Sequence, residues 1–337
     1  MASLADYAHN AGMKFGLWVE PERVALGLID TIGLRQGWLA AQDGSFGATV
    51  GQICLASEPA RQWLLNRVTQ LIESVRPDYL KWDNNGWINC NRPGHGHGSA
   101  DGNFAHVEGL YSLLGELRKR FPDLMIENVS GGGNRLDFGL LGLTDVAWMD
   151  DQSAPSVHVR HNLEGLSFAF PPAYLLSFVI AGGGEELDGG NDLSNIVRSR
   201  MPGVLGMTVR TSSLDSSVMT HIASEIRRYK AYRDIVAQSS ATLLSGQAPV
   251  DGGGWDVMQE VTDDAMRALL FAFKNEQSEG RVVVHLRGLR SDVSYDVFSA
   301  DVGALGAASG ASLMQDGVEL FHTDGSLAHV LVLKSSQ

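Results

Sequence analysis

Tyr79-Leu80-Lys81-Trp82-Asp83-Asn84-Asn85 is a short apolar run that ends abruptly in a carboxylate and two amides. Such a run reads as a strand with chemistry at its C-terminal end. The same grammar recurs on either side. Lys14-Phe15-Gly16-Leu17-Trp18-Val19 runs into Glu20, Leu124-Met125-Ile126 runs into Glu127, and Asp145-Val146-Ala147-Trp148 leads to Asp150 and Asp151. Between these runs, Glu58 to Val75 carries Trp63, Leu64, Val68, Leu71 and Ile72 near a 3.6-residue period, and Val107 to Arg120 is the next helical segment. Alternating strands and helices predict a parallel sheet. Charged groups contributed by several strands at one rim predict a (β/α)8-type barrel, whereas a doubly wound sheet gathers its ligands at one switch point. Gly131-Gly132-Gly133 matches neither G-x-G-x-x-G nor a Walker loop, so nucleotide binding is not indicated.

About six strand candidates precede residue 215, where a closed barrel needs eight. Either two strands escape this reading, or these are strands 3–8 of a barrel whose first strands lie upstream of Lys14, with exposed edges that an oligomer would cover or that would leave a marginally stable, aggregation-prone monomer. A helix from Ser217 to Asp234 closes this part. Beyond it, Ala268 to Lys274, Arg281 to Leu286, Tyr295 to Ser299 and Ala328 to Leu333 alternate with turn residues and have no helices between them. The division read from the sequence is a barrel over 1–245 and a small antiparallel β-domain over 246–337, with Asp251-Gly252-Gly253-Gly254 near the boundary.

Composition narrows the partners. Lys and Arg number 26 against 39 Asp and Glu, a formal charge of −13, which disfavours nucleic acid and anionic membranes and suits a neutral substrate. Two cysteines, Cys54 and Cys90, give no disulfide framework and no zinc spacing. The N-terminal residues show no signal-peptide pattern, so a cytoplasmic location is expected. The longest apolar run, Ala173 to Ala181, is too short to span a bilayer.

Two carboxylates stand out. Lys81 and two amides surround Asp83, a setting that suits an anionic nucleophile. Asp151 follows an apolar strand beside Asp150, and like charge with apolar neighbours suits a proton donor. Paired carboxyls in contrasting settings are what glycoside hydrolysis requires. Taken singly, each is more simply read as the N-cap of a helix after a strand, and it is the combination with the motifs below that shifts the balance.

Four collinear segments resemble glycoside hydrolase family 36 of the α-galactosidase clan. Phe15-Gly16-Leu17-Trp18-Val19-Glu20-Pro21-Glu22 resembles F-G-L-W-F-E-P-E, and Lys81 to Asn85 resembles K-W-D-x-N. Glu127 to Asp137 resembles E-x-C-S-G-G-G-x-R-x-D, and Trp148-Met149-Asp150-Asp151-Gln152 resembles W-T-S-D-N, with Ser167 to Pro171 following as S-x-x-Y-P. The resemblance implies a retaining α-galactosidase with Asp83 as nucleophile and Asp151 as acid/base. It also implies Trp18 as an apolar wall, Lys81 and Asn85 on sugar hydroxyls, and Gly132 where backbone approaches the sugar. It implies neither an organic cofactor nor a metal, and an α-galactoside or oligosaccharide as substrate. Three departures from the family matter. Val129 replaces a cysteine near the sugar's 2-position, Val50 replaces an arginine, and an Asp-Asp pair expected upstream of Lys14 is absent from the sequence. α-N-Acetylgalactosaminidase, transglycosylation and a non-catalytic sugar-binding remnant are the competing readings. His95 and His97 read as residues of an exposed Gly-rich loop, and Glu20 and Glu22 as structural residues at the rim.

Overall fold

The computed structural model describes residues 1–42, 49–180, 185–246, 253–275, 278–321 and 326–336. The chain forms two compact units, Met1–Trp148 and Met149–Gln337. In the first, the elements run α1 (Ala2–Asn10), β1 (Gly16–Val19), β2 (Arg23–Ala25), α2 (Ile29–Ile32), β3 (Val50–Gln52), α3 (Glu58–Val75), β4 (Tyr79–Trp82), α4 (Gly102–Arg120), β5 (Met125–Asn128), α5 (Phe138–Leu141) and β6 (Val146–Trp148). Strands β1, β4, β5 and β6 pair in parallel in that order, with Val19 opposite Trp82, Trp82 opposite Asn128, and Asn128 opposite Ala147. The expected strand–helix alternation is therefore present. Helix α3 has the predicted bounds because Pro59 occupies its first turn and Arg76 closes it in a left-handed conformation. Its face of Leu64, Leu65, Val68 and Ile72 joins Leu80, Trp82, Leu113, Leu117 and Ile126 in one apolar core.

The second unit contains α6 (Ser156–Leu166), β7 (Leu175–Val179), α7 (Leu193–Arg198), β8 (Val204–Met207) and α8 (Ser216–Val236), then β9 (Ser239–Leu243), β10 (Trp255–Thr262), β11 (Arg267–Lys274), β12 (Arg281–Val284), β13 (Ser294–Ser299), β14 (Gly303–Ser309), α9 (Gly310–Gln315), β15 (Val318–Phe321) and β16 (Ala328–Ser335). Strands β7 and β8 are parallel. The sheet β14-β13-β16-β11-β10-β9 and the ribbon β12-β15 are antiparallel. Barrel-type parallel strands followed by an antiparallel β-domain are thus both present. Of the expected boundary stretch, Asp251 and Gly252 lie outside the described residues, as does Ala181 of the apolar run that contains β7.

The antiparallel sheet already begins with β9, before the expected boundary at 245/246. Helix α8 shares one core with that sheet: Ile222, Tyr229, Tyr232 and Ile235 pack with Phe271, Phe273 and Val330. Buried arginines reinforce it. Arg198 on α7 pairs with Glu225 on α8 at 2.9 Å and reaches Asp301 and the Ala328 carbonyl, while Arg160 on α6 holds Asp256 on β10 at 2.7 Å.

One buried carboxylate organises the rim of the first unit. Glu22 is fully buried. It accepts both arms of Arg135 at 2.7 and 2.8 Å, the Trp82 indole N–H at 2.9 Å and His106 Nε2 at 2.7 Å. His106 Nδ1 accepts the Leu55 amide at 3.0 Å, which fixes the proton on Nε2. Burial alone would raise the Glu22 carboxyl, but Arg135 and then His106 outweigh it and hold it well below the usual carboxylate range.

Removing one partner of such a pair leaves a buried charge uncompensated. Glu22→Gln should cost about 3–5 kcal/mol in denaturant unfolding at neutral pH. A depressed carboxyl contributes stability above its unfolded pKa and loses it as pH falls toward the folded value. The difference between wild type and variant should therefore shrink below about pH 4. Helix α4 offers a second check. Alanine normally gains roughly 1 kcal/mol over glycine in a helix, but a Cβ on Gly109 would lie 2.2 Å from the Leu55 carbonyl oxygen. Gly109→Ala should therefore lower stability by about 1–3 kcal/mol, and a rise in melting temperature would contradict this packing.

Candidate active site

In the first unit Glu20, Asp83 and Val129 each follow the C-terminal end of a parallel strand, the edge at which barrel enzymes place their catalytic groups. The Asp83 amide donates to the Val19 carbonyl at 2.9 Å and the Val129 amide to the Trp82 carbonyl at 2.9 Å, so pairing continues just past the strands. The Asp83 carboxylate is 7% exposed. Its Oδ2 accepts from Trp18 Nε1 at 3.1 Å and from Asn85 Nδ2 at 2.9 Å. Its Oδ1 has no hydrogen-bond partner among the described residues. One oxygen is thus oriented by two donors while the other stays uncommitted.

Trp18 is 55% exposed although its N–H is bound to Asp83. An open indole face beside an oriented carboxylate can stack the C–H face of a sugar ring. Asn85 is held from the other side as well, since its backbone N–H donates to Glu20 Oε1 at 2.7 Å. The Lys81 ammonium forms an ion pair with Glu127 Oε1 at 2.7 Å and lies 4.2 Å from the centre of the Trp148 ring. The sequence placed that charge beside Asp83; the ion pair with Glu127 is one of its contacts in the fold. Tyr79 donates to the other oxygen of Glu127 at 2.6 Å. Burial first, then the Glu127 charge, push the Tyr79 phenol far above its usual range.

Ser130 to Gly133 forms a tight turn in which Gly131 and Gly132 take φ of +47° and +85°, values that glycine adopts without strain. Ser130 Oγ ties this turn to the Asn84 carbonyl at 2.7 Å, and Gly132 is buried within it. Val129 is 2% exposed. A cavity of about 260 Å³ is lined by Asn84, Asn85, Trp87, Ser130 and Arg135, among others.

Asp151 lies in the second unit, exposed on the segment before α6. Its neighbour Asp150 accepts the Gln152 amide at 2.9 Å, His158 Nε2 at 2.8 Å and Asn162 Nδ2 at 2.9 Å. Burial opposes ionisation of Asp150, but these donors overcome it and hold the carboxyl below its usual range.

The sequence reading did not anticipate His106 or Arg135 as partners of Glu22. Their signal was a histidine on the buried face of α4 and the arginine just after the glycine turn. Nor did it anticipate the environment of His95, which is buried and not part of an exposed loop. Gly94 and Gly96 adopt φ of +80° and +82° and turn the chain so that this ring faces inward. Its Nε2 lies 2.7 Å from the Gly37 carbonyl oxygen. Cys54 is buried as expected, and burial first, then neighbouring Cys90, push its thiol up to about 12.

The Melibiase family model matches residues 1–239. The bifunctional alpha-galactosidase/sucrose kinase AgaSK of Mediterraneibacter gnavus is 26% identical over 323 residues, 95% of this chain and 33% of that protein. Alpha-galactosidase 2 of Pediococcus pentosaceus is 34% identical over 184 residues, 53% of this chain and 25% of that one. The solved structure of the GH36 alpha-galactosidase AgaA from Geobacillus stearothermophilus superposes with a TM-score of 0.83 at 24% identity, covering 99% of this chain and 46% of that one. The chain thus spans less than half the length of these relatives. Its fold class is the barrel type with a following β-domain that those structures share. No helix among the described residues is long and apolar enough to cross a membrane. With the four sequence segments, the strand-end geometry and a family match over most of its length in agreement, this chain belongs to the melibiase family.

Proposed function

We propose that the chain carries the catalytic centre of a retaining α-galactosidase-type glycoside hydrolase, acting on terminal α-galactosides of oligosaccharides by double displacement. The observation that carries this reading is the Asp83 carboxylate, with Oδ2 held by Trp18 and Asn85, Oδ1 uncommitted, and an open indole alongside. The Asp83 carboxylate attacks the anomeric carbon and the glycosidic bond breaks as Asp151 protonates the leaving oxygen. Asp151 then takes a proton from water, which displaces Asp83 and restores the original configuration. Trp18 walls the sugar, Lys81 and Asn85 contact its hydroxyls, and Gly132 gives the backbone room to approach. AgaA variants have been solved with raffinose and with stachyose, which supports a galactosyl oligosaccharide as substrate. A cytoplasmic location, a homo-oligomeric assembly, and a catalytic part over 1–245 followed by a β-domain over 246–337 belong to the same reading.

Asp83→Ala and Asp151→Ala should each abolish hydrolysis of an activated α-galactoside. Azide should rescue Asp83→Gly and yield the β-galactosyl azide, because the anion replaces the nucleophile in a single displacement. An α-azide from that variant, or rescue confined to Asp151→Gly, would reverse the two assignments. Absence of turnover in the wild-type chain, with galactose binding intact, would favour a sugar-binding module instead.

Val129 bears on specificity. A site that hydrogen-bonds a hydroxyl rejects analogues lacking it by large factors, whereas an apolar side chain discriminates modestly. Discrimination between galactosides and 2-acetamido analogues should therefore be weak. Val129→Cys should sharpen it about tenfold, or ~1.4 kcal/mol in the transition state. An unchanged ratio of kcat/KM values would show that this buried side chain does not reach the sugar.

A further inference from the structure

The fold gathers four side chains that the glycosidase reading does not use. Cys54 follows β3, and Cys90, His95 and His97 lie between β4 and α4. Cys54 Sγ is 3.6 Å from His97 Nε2, and Cys90 Sγ is 3.5 Å from His95 Nδ1. The four donor atoms all lie within 4.8 Å of one another, with three of the residues buried and His97 half-buried. A tetrahedral Zn²⁺ with sulfur at ~2.3 Å and nitrogen at ~2.0–2.1 Å puts sulfur and nitrogen roughly 3.5 Å apart.

The far side of each imidazole is also prepared. His95 Nε2 lies 2.7 Å from the Gly37 carbonyl oxygen, and His97 Nδ1 lies 2.7 Å from the Gly98 carbonyl oxygen. A carbonyl only accepts, so each ring carries its proton there and turns a bare nitrogen toward the sulfurs. Backbone acceptors behind the ring are the usual device that fixes a metal-binding histidine. Two separate S–H···N contacts would satisfy the thiols without bringing all four atoms to one centre. The convergence of all four is what a shared cation explains.

We propose that Cys54, Cys90, His95 and His97 bind one structural Zn²⁺ in a closed tetrahedral site. Two thiols lose their protons to solvent on binding, and two thiolates neutralise the ion, so no net charge is buried and no redox step occurs. Four protein ligands leave no position for a reactive water. The thiolate and imidazole donors select zinc over magnesium or calcium, which take oxygen. The ion would pin the segment after β3 to the loop that leads from Asp83 to α4.

The test is metal content of the reduced, full chain, prepared in zinc-containing medium without chelator. About one zinc per chain is expected, resistant to a brief EDTA wash and released when a mercurial modifies the thiols. Replacement with Co²⁺ should give the intense visible bands of tetrahedral cobalt together with thiolate-to-metal charge transfer. Cys90→Ser and His97→Ala should each lose most of the bound zinc, and prolonged chelation should lower the melting temperature of the wild type. Because the cobalt spectrum is read on the wild-type chain, misfolding of a variant does not decide the matter. Zinc that washes off with freely titrating thiols, an octahedral cobalt spectrum, or a Cys54–Cys90 disulfide in place of metal would overturn the proposal.

Discussion

The first unit depends on a carboxylate with no access to water. Glu22 draws together groups from three places in the chain: Trp82 at the end of β4, His106 on α4 and Arg135 after the glycine turn. Burying an ion costs several kcal/mol unless its partners fill its lone pairs with good geometry. Here Arg135 binds both oxygens, and Trp82, His106 and, at longer range, Asn84 add further donors. Such a cluster tolerates little displacement of any member, so the strand end, the helix and the turn are held in one arrangement.

Strand alternation turns that constraint into a site. Successive side chains on a strand point to opposite faces. Leu80 and Trp82 face the apolar core and Asn84 reaches Glu22 at 3.5 Å, while Lys81 and Asp83 face the other way. Fixing Trp82 therefore fixes the direction of Asp83, although the two side chains never need to touch. The turn after β5 is tied in by Ser130 on the Asn84 carbonyl. A carboxylate with one engaged and one uncommitted oxygen is thus positioned in part by backbone and by residues such as Trp82 and Ser130 that play no part in the proposed chemistry.

Much of this was legible because it rests on local rules. The period of α3, the polar ends of β1 and β4, and the collinear motifs are all readable within a dozen residues. What was not legible depended on distant packing. Residues 303–309, rich in glycine and alanine, carry almost no strand propensity, and β14 exists because β13 supplies a partner. The extent of the core around α8 was not legible, because nothing local shows that Tyr229 and Tyr232 pack with Phe271. Cys54 and Cys90 lie too far apart in sequence to form a recognisable metal motif, and the contact of Cys54 with His97 at 3.6 Å arises only in the folded chain.

From Asp83 to Asp101 the chain forms neither helix nor strand, a long irregular stretch for the inside of a compact unit. Few apolar side chains hold it. Within its middle, Ile88 and Cys90 are the buried ones among the described residues. Its other anchors are polar: Asn103 Nδ2 on the Ile88 carbonyl at 2.8 Å, the Asn91 amide on the Ala41 carbonyl at 2.8 Å, and His95 on Gly37. Close packing of Gly102 against the Cys90 carbonyl, where a Cβ would lie 2.0 Å away, fixes the far end. A segment with so small an apolar core is ordered by cross-links, and small metal-bound loops use an ion in the same role. The order of the loop matters because it begins at the residues that orient Asp83. Any freedom in it would be felt at Asn85, whose amide is held by Glu20 and whose side chain, with Trp18, orients the Asp83 carboxylate.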